Sequence, residues 1–112
     1  MSQEMKKNLH VYTTSLMDNV DYLKMTGANA DLTELLSRAA NIGNIAILYF
    51  STLSEEEVQS VVSTLNIASS IADNMQIAEE KSGDLLRVIE SVEALFRSKK
   101  LLLDGLGEKS LV

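Results

Sequence analysis

Leu53-Ser54-Glu55-Glu56-Glu57-Val58 is the stretch on which the fold turns. A serine followed three residues later by a glutamate is a capping box. The Ser54 hydroxyl can accept from the Glu57 amide while the Glu57 carboxylate reaches back to the Ser54 amide. Leu53 and Val58 stand at the two staple positions that bracket the box. Three carboxylates in the first turn also face the positive end of the helix dipole. The stretch predicts a helix beginning at Glu55. The residues after it agree, because Val58, Val61, Val62, Leu65, Ala68, Ala72 and Met75 recur at three- and four-residue steps.

Working outward, the same spacing recurs on both sides. Upstream, Leu32, Leu35, Leu36, Ala39, Gly43, Ala46, Ile47 and Phe50 mark a helix over 32–50, with Asp31 as its cap and Glu34 completing a box-like pair. Before it, Met5, Leu9, Tyr12, Leu16, Asn19 or Val20, and Leu23 mark a helix over 3–25. Gly27 is its natural stop, because glycine tolerates the left-handed conformation that ends helices. Downstream, the third helix extends to residue 80. Lys81-Ser82-Gly83-Asp84 then reads as a short turn, with Asp84 capping a fourth helix over 84–103 that presents Leu85, Val88, Ile89, Val92 and Phe96. A second reading stays open. The series Ile71, Met75, Ala78, Ser82, Leu85, Ile89 keeps its spacing straight through Gly83, which allows one helix from 55 to 102 whose far half a second subunit would cover. Residues 1–103 form a single helical domain on the first reading, and 104–112 a flexible C-terminal tail.

Composition points the same way. The chain of 112 residues has no proline and few aromatics, so nothing breaks long helices. No stretch alternates β-branched with polar residues over a strand length. The fold class expected is all-α, a small four-helix bundle, or a helical dimer if the third helix runs on. The length suffices for a hydrophobic core without staples. No cysteine is present, which removes disulfides and thiolate chemistry and fits a reducing, cytoplasmic setting. The N-terminal residues lead into an amphipathic pattern unlike a signal peptide, and no apolar run reaches the roughly 18–20 residues of a membrane span. The net charge of −6 is concentrated in residues 54–82, where six acids face only Lys81. Nucleic-acid binding needs cations to neutralise phosphates, and this balance argues against it.

One feature exceeds what a solitary bundle requires. Ala39 to Ser54 and Val58 to Ala72 contain no charged residue. On a helical wheel, Leu48, Ile45 and Tyr49 lie roughly 160°, 220° and 260° from the core face of their helix. Ile67 and Ile71 lie roughly 140° and 100° from theirs. A helix apolar nearly all round is buried on more than one side. Ile45, Leu48, Tyr49, Ile67 and Ile71 are therefore the candidate interaction residues, for a protein partner or for a second copy in a homodimer. Glu55, Glu56 and Glu57 are the acidic surface that would steer a basic partner. The function expected is a non-enzymatic protein–protein interaction module: an adaptor, an assembly or secretion chaperone, or an inhibitor-type regulator.

Signs of chemistry are few. His10 is the one histidine, so a helical di-iron site or a zinc site lacks ligands. No phosphate-binding glycine loop, nucleophile elbow or dinucleotide turn occurs. No cofactor, metal or catalytic residue is expected. Two other functions stay in view. Ala39, Gly43, Ala46 and Ala68 would leave room between helices for a small apolar ligand. His10 on a bundle of this size would suit phosphotransfer, though Val11-Tyr12-Thr13-Thr14 after it lacks the lysine that such a site wants.

Overall fold

A computed structural model describes residues 3–27 and 29–101. It contains four helices: α1 (Gln3–Thr26), α2 (Ala30–Leu48), α3 (Glu55–Asp73) and α4 (Ala78–Ser98). Single 3-10 turns at Phe50–Thr52 and Met75–Ile77 join the last three. The capping box forms in full: the Ser54 amide donates to Glu57 Oε1 at 2.7 Å, and the Glu57 amide donates to Ser54 Oγ at 3.1 Å. Leu53 and Val58 are both buried beside it. The same Glu57 Oε1 lies 3.0 Å from Lys99 Nζ, which also donates to the Thr52 carbonyl. One carboxylate thus starts α3 and ties down the end of α4.

The Ser54 amide and then Lys99 hold the Glu57 carboxyl below its ordinary pKa of 4.5. A carboxylate whose pKa is lowered on folding stabilises the fold above its unfolded pKa and loses that effect as pH falls through the folded value. Two substitutions separate the parts. Ser54→Ala removes the hydroxyl acceptor and should cost about 1 kcal/mol at neutral pH, or about 4 °C in Tm. Glu57→Gln keeps a capping side chain but loses the charge, and should cost about 0.5 kcal/mol at pH 7. That second deficit should close as pH falls through the lowered Glu57 pKa, in thermal melts followed by circular dichroism. A deficit that persists in acid would show that Glu57 acts through shape rather than charge.

Helix ends follow local chemistry, with corrections to the sequence reading. Gly27 ends α1 with φ +72°. Asn29, rather than Asp31, caps α2, its side chain accepting from the Leu32 amide. The third break lies at Asn74, not at residues 81–84. The Asn74 side chain accepts from the Gln76 amide and so competes with continuation of α3. Gly83 and Asp84 lie inside α4, where Asp84 pairs with Arg87 instead of capping. A helix-interior glycine costs about 1 kcal/mol relative to alanine. Burial of Leu85 and Ile89, both fully enclosed, outweighs that at about 1.5–3 kcal/mol for each side chain. The uninterrupted helix over 55–102 does not form. At the far end α4 stops at Ser98, with Lys100 in the left-handed region at φ +66°. The expected tail, 104–112, lies outside the described residues.

The helices run up, down, up, down. Lys6 at the start of α1 sits over the ring of Phe50 just past α2, and Glu57 at the start of α3 meets Lys99 just past α4. α2 and α3 each pack against the other three helices, with α1 and α4 on opposite sides of that central pair. The bundle is accordingly flattened, 36 × 35 × 23 Å. Its core runs from Leu9 and Leu16 on α1 through Leu36, Ile42 and Leu65 to Leu85, Ile89 and Phe96 on α4.

Candidate interaction surface

The central position of α2 and α3 resolves the charge-free runs. A helix flanked on three sides by other helices buries a much wider face than one stripe. Ile45 and Ile71, expected at a second surface, are core residues, and Ile71 is completely enclosed. Ile67 and Tyr49 are half-buried and pack against the core edge. Of the five candidate interaction residues only Leu48 stands clear, at 69% exposure, on the last turn of α2. The wheel reading assumed one core direction per helix. The bundle gives its central helices three.

The acidic surface is also rearranged. Glu55 and Glu56 are exposed, but Glu57 is committed to the capping box and to Lys99. Glu79 and Glu80, the other pair of acids in residues 54–82, begin α4. The 19 residues of α3 at about 1.5 Å each separate the two groups by nearly the length of the bundle. They do not form one patch.

The small residues lie in the packed core. Ala39, Ala46 and Ala68 are fully buried. A Cβ on Gly43 would fall 2.2 Å from Thr13 Oγ1. Gly43 lets α1 and α2 approach closely. His10 is exposed on α1. Among the described residues no three His, Asp or Glu side chains gather as a metal would require, and no helix is long and apolar enough to cross a membrane.

A different surface emerges where the first turns of α2 and α4 lie side by side. A groove of 630 Å³ runs between them, with Leu32 and Leu35 on the α2 side, Leu86 on the α4 side, and Met75 of the 3-10 turn at its end. Met75 and Leu86 are exposed, at 37% and 38%. Asp31 and Glu79 stand on its rim. Farther along the same two helices, Arg38 holds Glu93 through two hydrogen bonds, Nη2 to Oε1 at 2.6 Å and Nε to Oε2 at 3.3 Å. This paired geometry is strong and directional. The Glu93 bond first, with Glu93, Glu90 and Glu34 as nearby charges, raises the Arg38 pKa above its ordinary value against the effect of burial. Arg38 is thus a single cation among three carboxylates.

Sequence reasoning passed over this groove because its residues had other assignments. Leu32 and Leu35 read as core, Met75 as the tail of the third helix, and Ser82-Gly83 as a turn. The one available signal was the uninterrupted apolar spacing through Gly83, which placed Ser82 and Gly83 on the same helix as Leu86. No protein-family model matches the chain, and no curated protein or solved structure does either.

Proposed function

We propose that this protein is a non-enzymatic interaction module of the adaptor, chaperone or inhibitor type, and that its working surface is the groove between α2 and α4. The observation that carries the reading is the groove itself, an apolar floor of Leu32, Leu35, Met75 and Leu86 rimmed by charge. Partner sites combine apolar anchors with a polar surround in this way. The reading keeps the functional class that the sequence supports and moves the contact residues from the centres of α2 and α3 to the start of α2 and α4.

A photo-reactive amino acid placed at Leu86 tests it, with the same group at Val11 as control. Val11 is also exposed and apolar, but lies on α1, across the central pair from α4. Irradiation in cells should give a discrete covalent adduct from position 86, none from position 11, and loss of the adduct when Met75→Glu is added. An adduct at twice the protein's own mass of 12.3 kDa would identify a second copy as the partner. Equal labelling from both positions, or none from either, would refute the groove as a working surface.

A further inference from the structure

We infer that the occupant of the α2–α4 groove is a basic amphipathic helix of another protein; this rests on the groove being the interaction surface. Charge complementarity is the first argument. The charged residues that line the groove are Asp31 and Glu79, with no lysine or arginine beside them among the described residues. Arg38 is already spoken for by Glu93. The rim therefore presents excess negative charge beside an apolar floor, which attracts lysine or arginine flanking apolar anchors and repels acidic segments.

Gly83 is the second argument. It lies in mid-helix on the groove wall, where its backbone is ordinary and a Cβ would meet nothing within 4 Å. Alanine there would favour the helix by about 1 kcal/mol, and no contact among the described residues forbids it. Gly43, by contrast, is required by Thr13. A glycine that the fold itself does not need, on the wall of an open groove, lets an occupant's backbone come close.

The shape selects a helix. Glu79, Gly83 and Leu86 follow one side of α4 along the groove at steps of four and three, a line of roughly 10 Å at 1.5 Å per residue. That matches about two turns of an occupant helix. Two helix walls also offer no unpaired strand edge on which an extended peptide could add.

The test uses fluorescently labelled synthetic peptides about four turns long, with leucine on one face and lysine on the other, followed by anisotropy against the full chain. Two companions replace lysine by glutamate or by glutamine. The lysine peptide should bind, weaken as salt is raised, and lose about tenfold or more in affinity to Asp31→Lys/Glu79→Lys. Gly83→Leu should weaken binding similarly while leaving the melting temperature equal or higher, because the leucine has open space to enter. Glu55→Lys/Glu56→Lys, at the other end of the bundle, should leave binding unchanged. Equal weakening by the two charge reversals would mean diffuse attraction and overturn the proposal. Preferential binding of the glutamine or glutamate peptide would overturn the basic partner while the groove stands. If no peptide binds, the basic helix is refuted, and the adduct at Leu86 then decides separately whether the groove is a working surface.

Discussion

Ile71→Glu is expected to abolish cooperative folding, while Leu48→Glu leaves it unchanged. The two side chains belong to the same charge-free pattern on α2 and α3, yet Ile71 has no exposure and Leu48 has 69%. Replacing Ile71 forfeits about 1.5–3 kcal/mol of apolar burial. It also leaves a carboxylate uncompensated in the core, which costs about 3–5 kcal/mol. Together these approach the whole stability of an ordinary domain, about 5–15 kcal/mol. Thermal melts should show a lost or non-cooperative transition. Lowering the pH toward 5 should restore part of the helical signal, because a buried carboxyl has a raised pKa and the neutral form is favoured as protons become available. Leu48→Glu, in water on the last turn of α2, should shift stability by no more than about 0.5 kcal/mol. A folded, wild-type-like Ile71→Glu would mean that α3 turns this face outward, and the arrangement of the bundle would be wrong.

That contrast shows what sequence can convey about a bundle. Ser54 and Glu57 carry their own partners within three residues, so their geometry was readable from spacing alone. Gly27 was readable for the same reason, since the helix stop needs only its own backbone. Asn74 and Gly83 were not. Asparagine breaks a helix only when its side chain captures a nearby amide, and glycine breaks one only when tertiary packing fails to hold it. The spacing of Leu85 and Ile89 indicates such packing, but which effect wins depends on neighbours far away in sequence. Ile45 and Ile71 fall in the same class. Their apolar surroundings were legible, whereas the identity of the cover was not, because a wheel reports direction about one axis and says nothing of how many helices stand around it. The groove between α2 and α4 is less legible still. It exists only because residues 31–35 and 75–86 meet, and Leu32, Leu35 and Met75 each read as ordinary core when taken singly.

The two helical glycines should answer substitution by alanine with opposite signs. At Gly43 a Cβ would fall 2.2 Å from Thr13 Oγ1, 2.9 Å from its Cγ2 and 3.0 Å from its Cβ. Thr13 is buried, and its hydroxyl donates to the Leu9 carbonyl at 2.8 Å. Rotation about χ1 exchanges the hydroxyl and the methyl without clearing the space, so α1 and α2 must move apart. Overpacking of this kind costs about 1–3 kcal/mol. Better helix propensity returns up to about 1 kcal/mol. Gly43→Ala should therefore be destabilising by about 1–2 kcal/mol, a fall of about 4–8 °C in Tm. Gly83→Ala meets no such neighbour and should raise stability by about 1 kcal/mol. The double variant Thr13→Ala/Gly43→Ala carries the sharper result. Removing Oγ1 and Cγ2 relieves the clash that the single alanine creates, so the two changes should couple favourably by about 1 kcal/mol. Additive losses would mean that α1 does not cross α2 at Gly43. Paired with a stabilised Gly83→Ala, favourable coupling would show that one glycine serves the packing of this bundle, and that the other is kept for something outside it.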